Sequence, residues 1–128
     1  MTQLLGTRSN MVYKACTQQE WQTAGEAGVY AGSPADKRDG FIHFSASHQL
    51  SETLSRHFAG QADLVLVAFS AEALAAGLRW EASRGGDLFP HFYGALPASA
   101  ALKVWALPLG PDGRHRLPEL PEDKPSTR

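Results

Sequence analysis

The sequence predicts a single α+β domain in which a strongly bent β-sheet packs with two main helices. The chain has 128 residues, the length of one domain that can bury a core. Several short segments alternate in the way β-strands do, and Asp63–Phe69 is apolar on both faces, which is typical of a covered central strand. Two other segments carry apolar residues at helical spacing.

The N-terminal elements follow residues 1–10, which we interpret as a loose leader. Met11–Cys16 alternates as a short strand. Thr17 and Glu20 have the spacing of a capping box, so the first helix is predicted to begin there. Gly28 is suited to end that helix, because glycine readily adopts the left-handed conformation that follows many helices.

The next segments are a brief strand, a turn and a longer strand. The brief strand is predicted at Val29–Ser33, and the charges and Asp-Gly of Pro34–Gly40 are typical of a turn. Phe41–Ala46 is the longer strand. Its alternation places His43 and Ser45 on the same face.

The second main helix is predicted to be capped by Ser45 or Ser47 and to end at Gly60. It carries apolar residues at four-residue spacing. After the central strand, Ser70 is predicted to cap a further short helix that ends at Gly77.

The last third of the domain contains interrupted extended structure. Leu78–Glu81 is predicted to begin a strand, a loop at Ser83–Asp87 interrupts it, and Phe89–Tyr93 resumes it. Pro90 has no backbone N–H to donate, so this piece is expected to be an edge strand or a bulge. Leu102–Leu107 is the last predicted strand.

The C-terminal end is rich in proline and poor in apolar residues. Such a composition gives little independent structure. We therefore predict a domain over residues 11–117 and a flexible tail over residues 118–128.

Charge and composition exclude several classes of protein. The net charge of −1 and a pI near 6.5 provide no basic field for nucleic acid or an anionic membrane. No apolar run approaches the roughly 20 residues that span a bilayer, and the N-terminus lacks the pattern of a secretory signal. Cys16 is the single cysteine and cannot form an internal disulfide. The expectation is a cytoplasmic protein, a monomer or a weak homodimer.

Arg79–Gly94 combines ionisable, aromatic and glycine residues more densely than any other stretch, as the rim of a ligand pocket does. His91 lies between two aromatic residues and directly after a proline, with Tyr93 on the same face. This pattern favours a functional role for His91. Arg84 precedes two glycines and is a candidate for binding a phosphate.

Other candidate sites carry weaker patterns. His43 precedes a helix N-terminus, so a role in a pocket and a role in satisfying a backbone carbonyl both remain open. The histidines lack the helical spacing of a metal site, and no metal is predicted. Cys16 has no motif around it that would make it a nucleophile.

Eight blocks of residues, in order along the chain, resemble a small bacterial family, domain-of-unknown-function family 952. The resemblance covers about Met11 to Leu117. The blocks are Val12–Lys14, Glu20–Trp21, Gly32–Ser33, Asp39–Ser45, Phe58–Gln61, Asp63–Leu66, Leu78–Glu81 and Phe89–Gly94.

The resemblance implies an ADP-ribosyltransferase-like fold, a split β-sandwich that binds NAD in its cleft. In that pattern the first strand supplies a histidine or arginine, a middle strand an aromatic residue or serine, and a late strand a glutamate. This sequence has Lys14 on the first strand and His43 and Ser45 on the middle one. For the late acid it offers Glu81 or, less favourably, Asp87, and His91 falls near the expected glutamate.

Three functional hypotheses follow. The first is an NAD- or nucleotide-using enzyme of the ADP-ribosyltransferase type with a divergent site. The second is a catalytically silent binding module on the same fold, and the third is a small hydrolase or isomerase with a histidine acid–base pair. The predicted catalytic residues are His43, His91 and Glu81. The predicted ligand-binding residues are Lys14, Ser45, Arg84 and Tyr93.

Overall fold

The computed structural model describes residues 10–121, apart from the side chain of Arg84. The predicted leader, except for its last residue, and the tail beyond residue 121 lie outside the described residues. Within that range the strands are β1 Met11–Thr17, β2 Val29–Tyr30, β3 Ile42–His43, β4 Leu64–Ser70, β5 Leu78–Ala82, β6 Leu88–Phe92, β7 Leu96–Pro97 and β8 Lys103–Leu107. The α-helices are α1 Gln18–Ala27, α2 Pro34–Asp39 and α3 Leu50–His57, with single 3-10 turns at Ser47–Gln49, Arg84–Gly86 and Ala98–Ala100.

The architecture is a mixed α/β fold with several antiparallel sheets. One sheet has the order β1-β4-β8, so β4 is its central strand. Leu64 on β4 pairs with Thr17 on one side and with Leu107 on the other. All residues of β4 except Ser70 are buried. The prediction of a covered central strand in this region is confirmed.

The two faces of this sheet build two apolar clusters. Val12, Val67 and Phe69 belong to the cluster that also contains Ala24 of α1. The residues that alternate with them belong to a second cluster, into which α3 inserts its two buried leucines, Leu50 and Leu54. The alternation predicted for the first strand is therefore the one that assigns its side chains to the two clusters.

A second antiparallel sheet has the order β3-β6-β5. The two sheets meet at Tyr13 and Ser45, whose backbones exchange two hydrogen bonds of 2.8 and 2.9 Å. The strand predicted at Phe41–Ala46 is thus divided: Ile42 and His43 pair with β6, and Ser45 pairs with β1. The sequence predicted one strongly bent sheet, whereas the described residues form separate antiparallel sheets, two of which meet at this crossing.

Pro90 was predicted on an edge strand or at a bulge. It lies instead in β6, the middle strand of its sheet, whose residues pair one to one with those of β5. It is fully buried and lies opposite Trp80. Its carbonyl accepts a hydrogen bond of 2.9 Å from the backbone N–H of Phe44. The return bond is the one that proline cannot make. The missing bond is at the end of the β3–β6 ladder, where the segment after β3 leaves β6 to pair with β1. The rest of that ladder is therefore intact.

The start of α1 agrees with the prediction. Thr17 accepts a hydrogen bond from the backbone N–H of Glu20, the Glu20 carboxylate accepts one from the Thr17 N–H, and Gly28 closes the helix with φ of 83°. The strand that follows is shorter than predicted. Val29 and Tyr30 pair with β7 to form a two-stranded sheet, and the predicted extension to Ser33 is absent because Ser33 begins another element.

That element is α2, where the sequence had predicted only a turn over Pro34–Gly40. Ser33 caps the helix and Asp36 completes a capping box, with a proline at the first helical position and Gly40 in the left-handed conformation at the end. All of these are helix signals. The high share of charged residues concealed them, because α2 buries only one side chain, that of Asp36.

Two further helix predictions are wrong. Neither Ser45 nor Ser47 caps the second main helix: a 3-10 turn over Ser47–Gln49 leads into α3. Residues 71–77 form turns rather than a helix, although the Ser70 hydroxyl does accept a hydrogen bond from the N–H of Ala73. Local capping patterns are satisfied by a single turn and do not require a helix to continue.

The chain after β8 returns to the domain. His115 Nε2 lies 2.7 Å from the Gln61 carbonyl oxygen, and Leu120 packs against the second apolar cluster. Among the helices of residues 10–121, none combines the length and the apolar character needed to cross a membrane.

The central strand β4 is buried at every residue except Ser70, and Leu66 has no exposed surface. We expect Leu66→Ala to lower the free energy of unfolding by about 2–5 kcal/mol, because it removes buried methyl groups and leaves a cavity. Leu102→Ala is the matched control, since Leu102 is 60% exposed, and it should change stability by less than about 0.5 kcal/mol. Urea unfolding measures both; equal losses in the two variants would contradict this account of the core.

Candidate functional site

A pocket of about 750 Å³ opens between β1, α2, α3 and the second sheet. Its wall is more apolar than polar, and its polar groups converge from different parts of the chain: Lys14, Asp36, His43, Ser45 and His91 all line it. A cavity of this size with few converging polar groups is typical of small-molecule sites. The predicted pocket is therefore present, although the stretch from Arg79 to Gly94 forms only one side of it.

One wall of the pocket is a charge network centred on Asp36, whose side chain is 2% exposed. Lys14 Nζ lies 3.0 and 2.9 Å from the two carboxylate oxygens and also donates to the His43 carbonyl oxygen at 3.1 Å. The carboxylate accepts further hydrogen bonds from the backbone N–H groups of Ser33 and His43. The ammonium group of Lys14 is therefore held by a carboxylate and by a backbone carbonyl oxygen.

The His43 ring lies between two carboxylates. Nδ1 is 2.6 Å from Asp36 Oδ1, and Nε2 is 3.0 Å from Asp39 Oδ2. Because an ionised carboxylate only accepts hydrogen bonds, both contacts are satisfied together only when both ring nitrogens carry a proton. In this geometry neither nitrogen of His43 is free for a ligand.

Burial by itself would raise the pKa of Asp36. The hydrogen bond with His43 and the charge and hydrogen bond of Lys14 outweigh burial and hold the pKa of this carboxyl well below its usual range. Asp36 is therefore ionised at neutral pH. It is the fixed negative charge that holds β1, α2 and β3 together.

The second group of polar residues is on the β5–β6 side. His91 Nδ1 lies 2.7 Å from Glu81 Oε1, and the Tyr93 hydroxyl donates to the same oxygen at 2.8 Å. The hydrogen bond with His91, and after it the one from Tyr93, hold the pKa of Glu81 below its usual range. Since the carboxylate is ionised and only accepts, Nδ1 of His91 carries a proton.

Phe41 packs the second group together. Its ring stacks on His91 with centroids 4.1 Å apart and an interplanar angle of 22°, and it also contacts His43 and Tyr93. His43 and His91 are direct partners in the β3–β6 ladder, and their rings meet edge to face at 5.6 Å. The side chain of His91 is only 7% exposed, so its ring is held in place by packing.

Comparison with protein families and with solved structures identifies relatives of this chain. Residues 15–104 match the family described as "Protein of unknown function (DUF952)". The chain belongs to that family. The resemblance to domain-of-unknown-function family 952 is thus confirmed, and the matched range contains the Asp36, His43, Glu81 and His91 sites.

Solved structures of a relative share the fold of this DUF952 chain. The crystal structure of protein CC0527 from Caulobacter crescentus is 45% identical, with a TM-score of 0.80 over 83% of this chain and 93% of that one. The solution NMR structure of the same Caulobacter crescentus protein is 46% identical, with a TM-score of 0.75 over 82% and 90% of the two chains. No curated protein matches the chain.

The predicted site residues of this DUF952 protein fall into three sets. His43, His91, Glu81 and Tyr93 come together around Phe41. Lys14 and Ser45 line the same pocket, where Lys14 is bound to Asp36 and the Ser45 hydroxyl lies 3.0 Å from that of Thr53. The side chain of Arg84 lies outside the described residues, and Asp87 is exposed on the adjoining loop.

Asp36, Asp39 and Phe41 were not predicted from the sequence as site residues. The two aspartates were assigned to a turn, although Ser33 and Asp36 have the three-residue spacing of a capping box. The role of Phe41 could not be predicted from its neighbours in the sequence, because its contact with His91 depends on the pairing of β3 with β6. On the same side of the site, the Arg79 guanidinium lies over the Tyr93 ring at 5.6 Å.

Cys16 is excluded as a nucleophile at neutral pH. It is 1% exposed, and burial raises the pKa of its thiol to about 12. The low expectation placed on it from the sequence agrees with this environment.

Removing the charge of Asp36 tests the network. Asp36→Asn leaves Lys14 buried beside a neutral group, so we expect the free energy of unfolding to fall by about 3–5 kcal/mol at pH 7. Because the pKa of Asp36 is lowered by folding, its contribution is present above its unfolded value, about 4, and is lost as the pH falls through the folded value. The gap between wild type and variant should therefore narrow in acid.

Urea unfolding between pH 7 and pH 3 measures this gap. Asp112→Asn is the control, since Asp112 is half-exposed in its ion pair with Arg116 and should contribute about 0–1 kcal/mol. A gap for Asp36→Asn that stays constant or widens toward low pH would refute the assignment of the fixed charge to Asp36.

Proposed function

We propose that this protein is a small-molecule enzyme, a hydrolase or an isomerase, in which His91 is the general base and acid and Glu81 orients it. The contact between His91 Nδ1 and Glu81 Oε1 at 2.7 Å carries the proposal. A carboxylate that accepts from one nitrogen of an imidazole fixes the ring and leaves the lone pair on the other nitrogen, as general-base catalysis needs.

The environment of His91 supports this role. The ring lines the pocket and is held by Phe41. Within residues 10–121, Nε2 makes no hydrogen bond, so it is the nitrogen available to a substrate. Glu81 has its pKa lowered by His91 and Tyr93 and is ionised at neutral pH, as an orienting group must be.

The two predicted histidines have different roles in this proposal. His43 has both ring nitrogens bound to carboxylates, whereas His91 has one. We therefore assign proton transfer to His91 alone. His43 shapes the pocket wall and anchors α2 through Asp36 and Asp39, so the acid–base pair considered from the sequence becomes a single working histidine.

The test is a comparison of turnover in wild type and His91→Asn. The asparagine amide can still donate to Glu81 but has no counterpart of Nε2, so the fold is retained and the base is lost. A panel of ester, amide and phosphoester hydrolyses and of keto–enol isomerisations should give a wild-type activity that falls about 10²–10⁴-fold in the variant. His48→Asn, at an exposed histidine outside the cluster, should keep full activity.

Two results would count against the proposal. One is a wild-type activity that survives in His91→Asn. The other is equal loss in His48→Asn and His91→Asn, which would point to contamination or to general destabilisation. Melting temperatures of all three proteins show whether an equal loss comes from destabilisation or from a contaminating activity.

A second function, nucleotide or NAD binding with an ADP-ribosyltransferase-like fold and site, is supported by different observations. Two antiparallel sheets joined at one crossing agree with a split sandwich, and His43 and Ser45 of the middle strand line the pocket. Two contacts weigh against transfer chemistry: Lys14 is neutralised by Asp36, and Glu81 is bound by His91 and Tyr93. These contacts favour the acid–base enzyme.

Isothermal titration of NAD, ADP-ribose and nicotinamide separates these functions. On the acid–base proposal, we expect no saturable binding of ADP-ribose or NAD at micromolar concentration, because Lys14 and Arg38, which both line the pocket, are already paired with Asp36 and Asp39. Saturable NAD binding that weakens in His91→Ala would instead support the nucleotide site. Binding without turnover would then identify the silent binding module, and turnover would identify the transferase.

A further inference from the structure

We propose that Tyr93 is a positioning residue: by holding Glu81, it keeps the proton of the neutral His91 ring on Nδ1. The idea extends the proposed function, because it concerns how Nε2 is kept free for a substrate. Its physical basis is a single carboxylate oxygen, Glu81 Oε1, that accepts from both His91 and Tyr93 at 2.7 and 2.8 Å.

Packing fixes the position of the His91 ring but does not fix its proton. Phe41 stacks on the ring, and the side chain is 7% exposed. A neutral imidazole in this position still has two tautomers, and the one present is set by the hydrogen bonds of its nitrogens. The acceptor at Nδ1 is therefore what decides the tautomer.

Glu81 needs support to act as that acceptor. Its side chain is 37% exposed on β5, so solvent competes for its oxygens and it has freedom to rotate. Among the described residues its hydrogen bonds are those with His91 and Tyr93. A second donor on Oε1 holds the carboxylate in the rotamer that faces Nδ1.

Tyr93 is well placed to be that second donor. Its backbone N–H donates to the Gly77 carbonyl oxygen at 2.8 Å, and its ring contacts both Phe41 and the guanidinium of Arg79. Gly77 is required for this approach, because a Cβ atom there would collide with the Tyr93 carbonyl oxygen. The hydrogen bond to Glu81 also raises the pKa of Tyr93, so the hydroxyl keeps its proton.

The test measures the tautomer directly in the full-length protein. Long-range ¹H–¹⁵N correlation spectra of the histidine rings show which nitrogen is protonated, at pH values where the His91 ring is neutral. Wild type should show mainly the Nδ1–H form. In Tyr93→Phe, which keeps the ring but loses the hydroxyl, the ratio of Nε2–H to Nδ1–H should rise about fivefold or more, as expected for a weakened hydrogen bond to a charged group.

Controls distinguish positioning from structural damage. Tyr30→Phe removes a buried tyrosine hydroxyl outside the cluster and should leave the ratio unchanged. Glu81→Ala should change the ratio at least as much as Tyr93→Phe, and adding Tyr93→Phe to it should have no further effect if Tyr93 acts through Glu81. Retained contacts between the Phe41 and His91 rings would show that the packing is intact.

An unchanged ratio in Tyr93→Phe or in Glu81→Ala would overturn the inference, and so would a wild-type ring that is mainly Nε2–H. The inference fails alone if His91→Asn abolishes turnover while the tautomer does not respond to Tyr93→Phe. The proposed function fails alone if the tautomer responds but no activity depends on His91.

Discussion

The two hydrogen bonds between the backbones of Tyr13 and Ser45 are the constraint on which the rest of this structure depends. They take the chain from the second sheet to the first after only two paired residues of β3. The sheets therefore separate on either side of the crossing, and the pocket occupies the space between them. The same crossing lets Pro90 lie in a central strand. The hydrogen bond that Pro90 cannot donate would go to Phe44, and the chain turns from β6 to β1 directly after that residue.

The polar residues around the pocket form two groups. In one group the hydrogen-bonding atoms are paired with one another, and in the other a ring nitrogen is left for a ligand. Lys14, Asp36 and His43 satisfy one another almost completely and connect three elements that share little apolar surface, since α2 buries only Asp36. A buried ion pair with few free hydrogen-bonding sites holds geometry but offers little to a ligand. His91 uses only Nδ1 in its hydrogen bond with Glu81, and for that reason we propose that the chemistry takes place at its Nε2.

The sequence predicted those elements whose signals are local. The capping box at Thr17 and Glu20 and the covered central strand were found because each is encoded in a few neighbouring residues. The predictions from the sequence were wrong where the structure depends on pairing between distant strands. Pro90 was assigned to an edge strand or a bulge because its partner strands could not be known, and the helix after Ser33 was missed because its one buried residue is a charged one. For the site, the density of polar and aromatic residues near His91 identified the region, but the network of Asp36 and the stacking of Phe41 required the fold.

The register of β3 against β6 places His43 directly opposite His91. Side chains alternate between the faces of a strand, so inserting or deleting one residue between Gly40 and Ser45 would turn one histidine away from the other. The segment that connects α2 to the crossing therefore has an effectively fixed length. A recombination between homologous chains would keep the two histidines opposite each other only if its breakpoints preserved that spacing.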